Sequence, residues 1–301
     1  MKSNRKILYF INPVSGPTRK PQLKDYLVER SIALEIAYDI YYTNAAGEYP
    51  DLPDKIKREE ITDVVICGGD GTISQIASYL IGTEVNVGII PTGSGNGLAL
   101  AAKIPRKIER AFELILNGKS NFIDAFFINE KFGCMLSGIG FDAKVAHDFA
   151  LQPKRGLSTY IQQSVKNFFK AEPYLFDITN AGVTFSSEAY FISIANSNQF
   201  GNNFTIAPKA SLQDGLLDII VVKKMSKVKL IWTILKQIWL GEVGTQEDKN
   251  FHKKDILYFQ TANLIIHNHQ LAPLHIDGDP AETDKIFKIE VLKNAFKLIM
   301  P

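Results

Sequence analysis

Three short apolar runs in the first hundred residues each stop at a loop of glycine and small polar residues, and a helical pattern follows each loop. KILYFI runs into Asn12-Pro13-Val14-Ser15-Gly16, DVVIC into Gly68-Gly69-Asp70-Gly71-Thr72, and NVGIIP into Thr92-Gly93-Ser94-Gly95-Asn96-Gly97. EIAYDIYYT over 35–43 is a further β-rich run. Apolar runs of this kind alternate with helical patterns over 23–33, 73–81 and 108–119, which describes βαβ units and a parallel sheet with helices on its faces. An open parallel sheet brings the loops at the carboxyl ends of its strands to one edge.

From about Asn121 the pattern changes. FIDAFFINE, YLFDITNAGVTF, AYFISIANS, LLDIIVVKK and LHIDGDP are short β-like runs separated by turn residues. Helices are expected here only over 160–170 and 227–240. Many short strands in succession predict an antiparallel β-sandwich. The 301 residues, 46% of them hydrophobic, leave room for both domains to bury a core. A net charge of +2 excludes the basic excess of an extended nucleic-acid surface. Cys67 and Cys134 sit in apolar runs and read as buried thiols. MKSNRKILYFINP holds too short an apolar run for a secretory leader, and LIWTILKQIWL is broken by Lys236 and Gln237, so a cytoplasmic chain is expected.

Gly68-Gly69-Asp70-Gly71-Thr72 carries the most chemistry. Its glycines let a ligand approach the backbone closely, and the helix behind them offers free N–H groups and a partial positive charge. That is a phosphate site built without a lysine; no G-x-x-x-x-G-K-[ST] motif occurs. A tight turn capped by Thr72 would need fewer glycines. Asp70 stands where a metal on the phosphates, or a nucleophile's proton, would be handled. Phosphoryl transfer needs positioned phosphates, neutralised charge and an oriented nucleophile. Elsewhere the signals are weaker. Gly138-Ile-Gly-Phe-Asp-Ala143 is a loose dinucleotide match in the β-rich half. Asp277-Gly278 reads by itself as a turn between strands. His267 and His269 share a strand face with His275 nearby, a pattern commoner for solvated imidazoles than for a metal site.

NPVSG, GGDGTIS, PTGSGNGLA, IAPKASLQDGLLDI and HIDGDP, in that order over residues 6 to about 280, resemble the diacylglycerol-kinase-type lipid kinase superfamily. The resemblance implies an N-terminal α/β domain over residues 1–121, rejoined by about 285–301. It implies a β-sandwich lipid-substrate domain over 122–284, with the nucleotide site in the cleft between them. ATP contacts would come from Asn12, Pro13, Val14, Ser15, Gly16, Thr43, Gly68, Gly69, Asp70, Gly71, Thr72, Ile73, Ser74, Ser94 and Asn96. Asp70 and Asp277 would be catalytic, Asp277 as general base, and their Asn variants should lose transfer without unfolding. Mg²⁺ would be held by Asp214 and the carbonyls of Ser211 and Leu216, with Asp124 as a further acidic ligand. Asp142 would face the lipid head group. One departure is Gly97, where many bacterial members carry a metal-network Asp; GSGNGLA instead resembles the sphingosine-kinase loop. The implied partners are a lipid substrate (diacylglycerol or a sphingoid base), a transient membrane surface and a possible homodimer, with no nucleic acid. The helix over 227–240, with Trp232 and Trp239, is a candidate membrane contact. Rival readings are a kinase for a soluble acceptor such as NAD and a catalytically weak nucleotide-binding protein.

Overall fold

The computed structural model describes residues 5–15, 20–44, 46–152, 167, 171–199, 207–226 and 255–301. Gly16, the expected helix over 160–170 apart from Asn167, and the whole of 227–240 lie outside them. The chain forms two compact units, Met1–Asp124 with Lys293–Pro301, and Ala125–Leu292.

The first unit is a parallel sheet. Its strands are β1 (Lys6–Ile11), β2 (Ala37–Tyr42), β3 (Asp63–Gly68) and β4 (Asn86–Pro91), with the end of β15 (Ile286–Met300) alongside β4. The order is β15-β4-β3-β1-β2, with each neighbouring pair parallel. Ile7 through Ile11 and Val64 through Cys67 are all buried, as a strand covered on both faces requires. The edge strand β2 is half exposed. Helices α1 (Lys20–Ala33), α2 (Leu52–Arg58), α3 (Asp70–Ser78), α4 (Gly97–Ala101) and α5 (Ile108–Asn117) belong to this unit. Helix α5 buries Ala111, Phe112 and Ile115, and Gly88 on β4 leaves the room that Ile115 fills. Asp63 is fully buried at the start of β3. Arg5 reaches it through two nitrogens, at 2.5 and 3.0 Å, and also donates to the carbonyls of Ile115 and Leu116. Helix α2 escaped the sequence reading because its seven residues bury only Leu52 and Ile56, too few to show a period.

The second unit is antiparallel. Its strands include the end of β5 (Lys119–Ile128), β6 (Lys131–Gly133), β7 (Leu136–Gly140), β8 (Tyr174–Asn180), β9 (Val183–Ala195), β10 (Leu217–Lys223), β11 (Ile256–Thr261), β12 (Asn263–Asn268), β13 (Leu274–Ile276), β14 (Asp279–Ala281) and the first part of β15. They run in the order β14-β13-β7-β9-β8-β12-β15, with β10 beside β9 and β11, and β5 beside β6. Alternation sets the faces: Leu264, Ile266 and Asn268 on β12 point inward while Asn263, Ile265 and His267 face out. Phe126, Phe176, Ile192, Ile219, Ile266 and Phe287 are among the core side chains, each worth about 1.5–3 kcal/mol of apolar burial.

One helix here was not expected. Helix α6 (Phe141–Ala150) follows β7 directly, so the residues after Gly140 are helical rather than another strand. Among the described residues no helix is long and apolar enough to cross a membrane.

Candidate active site

In the first unit the loops after β1, β3 and β4 are tied to one another at the carboxyl edge of the sheet. The Asn12 N–H donates to the Cys67 carbonyl at 2.9 Å, and its Nδ2 donates to Thr72 Oγ1 at 2.7 Å. Its Oδ1 accepts from the Val14 N–H, a local turn that leaves Val14 87% exposed. The Ser15 and Thr92 hydroxyls are 2.8 Å apart, and the Thr92 N–H donates to the Gly68 carbonyl at 2.9 Å. Thr43 closes the end of β2 through its N–H to Ile11.

The two glycine loops touch backbone to backbone. A Cβ at Gly93 would lie 2.5 Å from the Gly69 Cα, so no other residue fits without parting the loops. Gly69 is the extended residue before α3, and no side chain caps that helix. The first helical bond is from the Ile73 N–H to the Gly69 carbonyl, so the helix's own ladder starts only at Ile73. Ile73 is fully buried and serves the core. Asn96 has a left-handed backbone (φ 56°), and its side chain bonds both N–H and carbonyl of Gly93, at 2.9 and 2.8 Å. It shapes the second loop from within. Asp70 Oδ1 accepts from the Leu98 N–H at 3.4 Å and so links α3 to the start of α4. Ser94 is exposed at the loop tip and Ser74 half-buried on α3.

Asp124 is buried, and its Oδ1 accepts from the Asn294 N–H at 2.9 Å. It braces β15 at Asn294, a left-handed residue of that strand.

In the second unit, Asp277 and Gly278 form the two-residue turn between β13 and β14, both with positive φ (51° and 87°). The turn reading is therefore correct, and the carboxylate has a further task. Asp277 Oδ2 accepts from the Cys134 N–H, and Oδ1 from those of Met135 and Leu136, all within 2.9–3.0 Å. Three backbone donors depend on this carboxylate, so Asp277→Asn bears on stability as well as on transfer. Asp142 is buried in the first turn of α6. Its helical setting was missed because G-x-G precedes it as the end of a strand.

Asp214 is exposed, and its Oδ1 accepts from the Leu216 N–H at 3.0 Å; Ser211 Oγ accepts from the Gln213 N–H at 3.3 Å. Asp218, four residues on, is fully buried and receives the Tyr258 hydroxyl and Gln260. Burial first, and the Asp214 charge next, push its carboxyl up to about 6, against the pull of Gln260 and Lys209. The sequence reading passed over Asp218, since its burial depends on β9 and β11 flanking β10. On the outer sheet face, His269 Nε2 lies 2.7 Å from Asp177 Oδ2, and Ser186 donates to Asp177 Oδ1 at 2.5 Å. Among the described residues no three His, Cys, Asp or Glu side chains are grouped to hold a metal ion.

The donor chemistry nevertheless suits a magnesium nucleotide. Mg²⁺ typically binds through one or two carboxylates and the substrate's own phosphates, and Asp70 lies in the first turn of the uncapped α3. The glycine cradle, which a Cβ would fill, suits the phosphates.

Comparison with known proteins matches two stretches of the chain to family models. Residues 6–128 match the model described as the diacylglycerol kinase catalytic domain. Residues 136–300 match the YegS C-terminal NAD kinase beta sandwich-like domain. The chain is 28% identical over 250 residues to a Shewanella frigidimarina protein named "Probable lipid kinase YegS-like", covering 81% of this chain and 78% of that one. It is 27% identical over 263 residues to the Salmonella typhimurium "Probable lipid kinase YegS", covering 85% and 83%. A Bacillus anthracis crystal structure described as a diacylglycerol kinase shares the fold, with a TM-score of 0.76, 20% identity, and coverage of 100% of this chain and 98% of that one.

Proposed function

Because the chain belongs to the diacylglycerol-kinase-type lipid kinases, we propose that it transfers the γ-phosphate of ATP, with Mg²⁺, to a hydroxyl of diacylglycerol or a related lipid. The observation that carries this reading is the backbone contact of Gly69 with Gly93 beside the uncapped start of α3. It makes a cradle of N–H groups with no side chain in the way, which is what a polyphosphate needs. Asn12, Ser15, Thr72 and Thr92 hold the cradle through their mutual hydrogen bonds. Asp70 would hold Mg²⁺ from the first unit, and the loop of Ser211, Asp214 and Leu216 would hold a second ion; bound Mg²⁺ supplies charge neutralisation on the phosphates. On the acceptor side, Asp142 receives the head group and Asp277 takes the proton of the attacking hydroxyl. The three amides that hold Asp277 fix its carboxylate in one orientation before the acceptor arrives. The enzyme works on lipid at a membrane surface that it visits transiently.

Glycine at 97 favours a second reading, a sphingoid-base kinase, since that loop resembles the sphingosine-kinase form. One assay separates the readings: γ-labelled ATP with Mg²⁺ and a panel of diacylglycerol, sphingoid base, ceramide and NAD, the lipids in mixed micelles. Label in diacylglycerol is expected. Label in NAD alone, or in no acceptor while ATP still binds, would overturn the lipid kinase reading.

A further inference from the structure

We propose that His275 is a positioning residue, holding the Asp142 carboxylate over the gap left by Gly138 so that it can receive a hydroxyl of the acceptor's head group. The proposal rests on the reading of Asp142 given above; the part played by His275 comes from the geometry of the second unit. Gly138 on β7 lies directly opposite His275 on β13 and opposite Ser193 on β9. Residues opposed across antiparallel strands share a face, so His275 and Ser193 flank position 138 on one side of the sheet.

The missing side chain at 138 leaves space there, and Asp142 fills it from the first turn of α6. A Cβ on Gly138 would lie 1.8 Å from Asp142 Oδ2. Asp142 Oδ1 is occupied by the Ala143 N–H at 2.8 Å. Its Oδ2 is buried and receives no hydrogen bond, and it lies 3.6 Å from His275 Nε2. That spacing is too long for a hydrogen bond and short enough for the polar N–H to attract the carboxylate.

The proton of His275 can be located. Its Nδ1 accepts from the Gly278 N–H at 3.3 Å. An accepting ring nitrogen carries no proton, so the N–H is on Nε2, the atom that faces Asp142. His275 is fully buried. It links the head-group acid to the turn that carries Asp277. A buried carboxylate oxygen without a donor is costly unless a ligand supplies one, and an acceptor hydroxyl is such a donor. His275 and the absent side chain at 138 together fix where Oδ2 sits.

Two substitutions divide the roles of the ring. His275→Gln puts an amide N–H near the Nε2 position, whereas His275→Asn reaches only as far as Nδ1 and can still accept from Gly278. With ATP saturating, His275→Asn and Gly138→Ala are expected to raise the acceptor KM about tenfold or more with kcat nearly unchanged, and His275→Gln to restore it. Equal KM values for the Asn and Gln variants would overturn the proposal. Independently of activity, the ¹⁵N-histidine NMR spectrum of the full chain should show His275 as the Nε2–H tautomer, with a signal that moves in Asp142→Asn. An Nδ1–H tautomer, or a signal indifferent to Asp142, would also overturn it. Should the wild-type chain phosphorylate no lipid, the acceptor half of the proposal falls with that reading, while the NMR result still decides whether His275 holds Asp142.

Discussion

Gly93→Ala tests the phosphate cradle where it is tightest. The added Cβ would lie 2.5 Å from the Gly69 Cα, and ordinary van der Waals contact begins at 3.4 Å. Both partners are backbone, so the two glycine loops must part by about 0.9 Å, the difference between those distances. Displacing reacting groups by about 1 Å can cost roughly 10²-fold in rate, or about 2.7 kcal/mol. The strain itself should lower stability by about 1–3 kcal/mol. The assays are calorimetric binding of a non-hydrolysable ATP analogue, kcat/KM for ATP, and thermal unfolding. Gly82→Ala is the control. Gly82, unlike Gly93, has a positive φ, 69°, and a Cβ there meets nothing within 4 Å, so backbone strain rather than a clash lowers Tm there while nucleotide affinity stays at the wild-type level. Wild-type affinity in Gly93→Ala would refute the idea that this contact defines the cradle.

Asp277→Asn should lose transfer and also lower stability by about 1–3 kcal/mol, because one backbone donor would then face an NH₂ group; urea unfolding separates the two effects, and an unchanged midpoint would count against the anchoring role. Asp70→Asn keeps an oxygen for the Leu98 N–H and should lose transfer with its unfolding midpoint nearly unchanged. Asp63→Ala removes the carboxylate paired with Arg5 while leaving it the Ile115 and Leu116 carbonyls, and should cost about 3 kcal/mol in urea unfolding, the low end for a broken buried pair because the Arg5 side chain remains 26% exposed. The Ser186 hydroxyl first, and His269 next, hold the Asp177 carboxyl below its ordinary value. The unfolded chain therefore binds that proton more readily, and the stabilisation present above about pH 4 is lost as the pH falls further; Ser186→Ala should flatten this acid limb in a Tm-against-pH series. Chelation of divalent cations should stop transfer without changing the Tm of the free chain, since no acidic cluster among the described residues is assembled in advance.

Wherever the chemistry is local, the primary structure was sufficient. Glycine at 68, 69 and 93 allows those loops close backbone approach, and the apolar runs at 7–11 and 64–67 match strands covered on both faces. These features are written in consecutive residues, so they could be read without partners. The antiparallel character of the second half was legible for the same reason, from the succession of short β-like runs separated by turn residues.

Register and depth were not legible, because they depend on residues distant in the chain. The change of pattern near Asn121 lies close to the first crossing, at Asp124 inside β5, whereas the second, at Lys293, falls inside the continuous strand β15 with no turn to mark it. Asp277 looked like a turn residue and proved to be a turn residue whose carboxylate also gathers three amides about 140 positions away. His275 looked like a third solvated imidazole; only the pairing of β13 with β7 sets it beside Gly138 and Asp142. Asp124 looked like a metal ligand, and the return of β15 gives its carboxylate a backbone N–H to hold. A sequence names which side chains can do acid–base or phosphate chemistry. Which of them are buried, bonded and aimed is decided by strand partners that only the folded chain brings together.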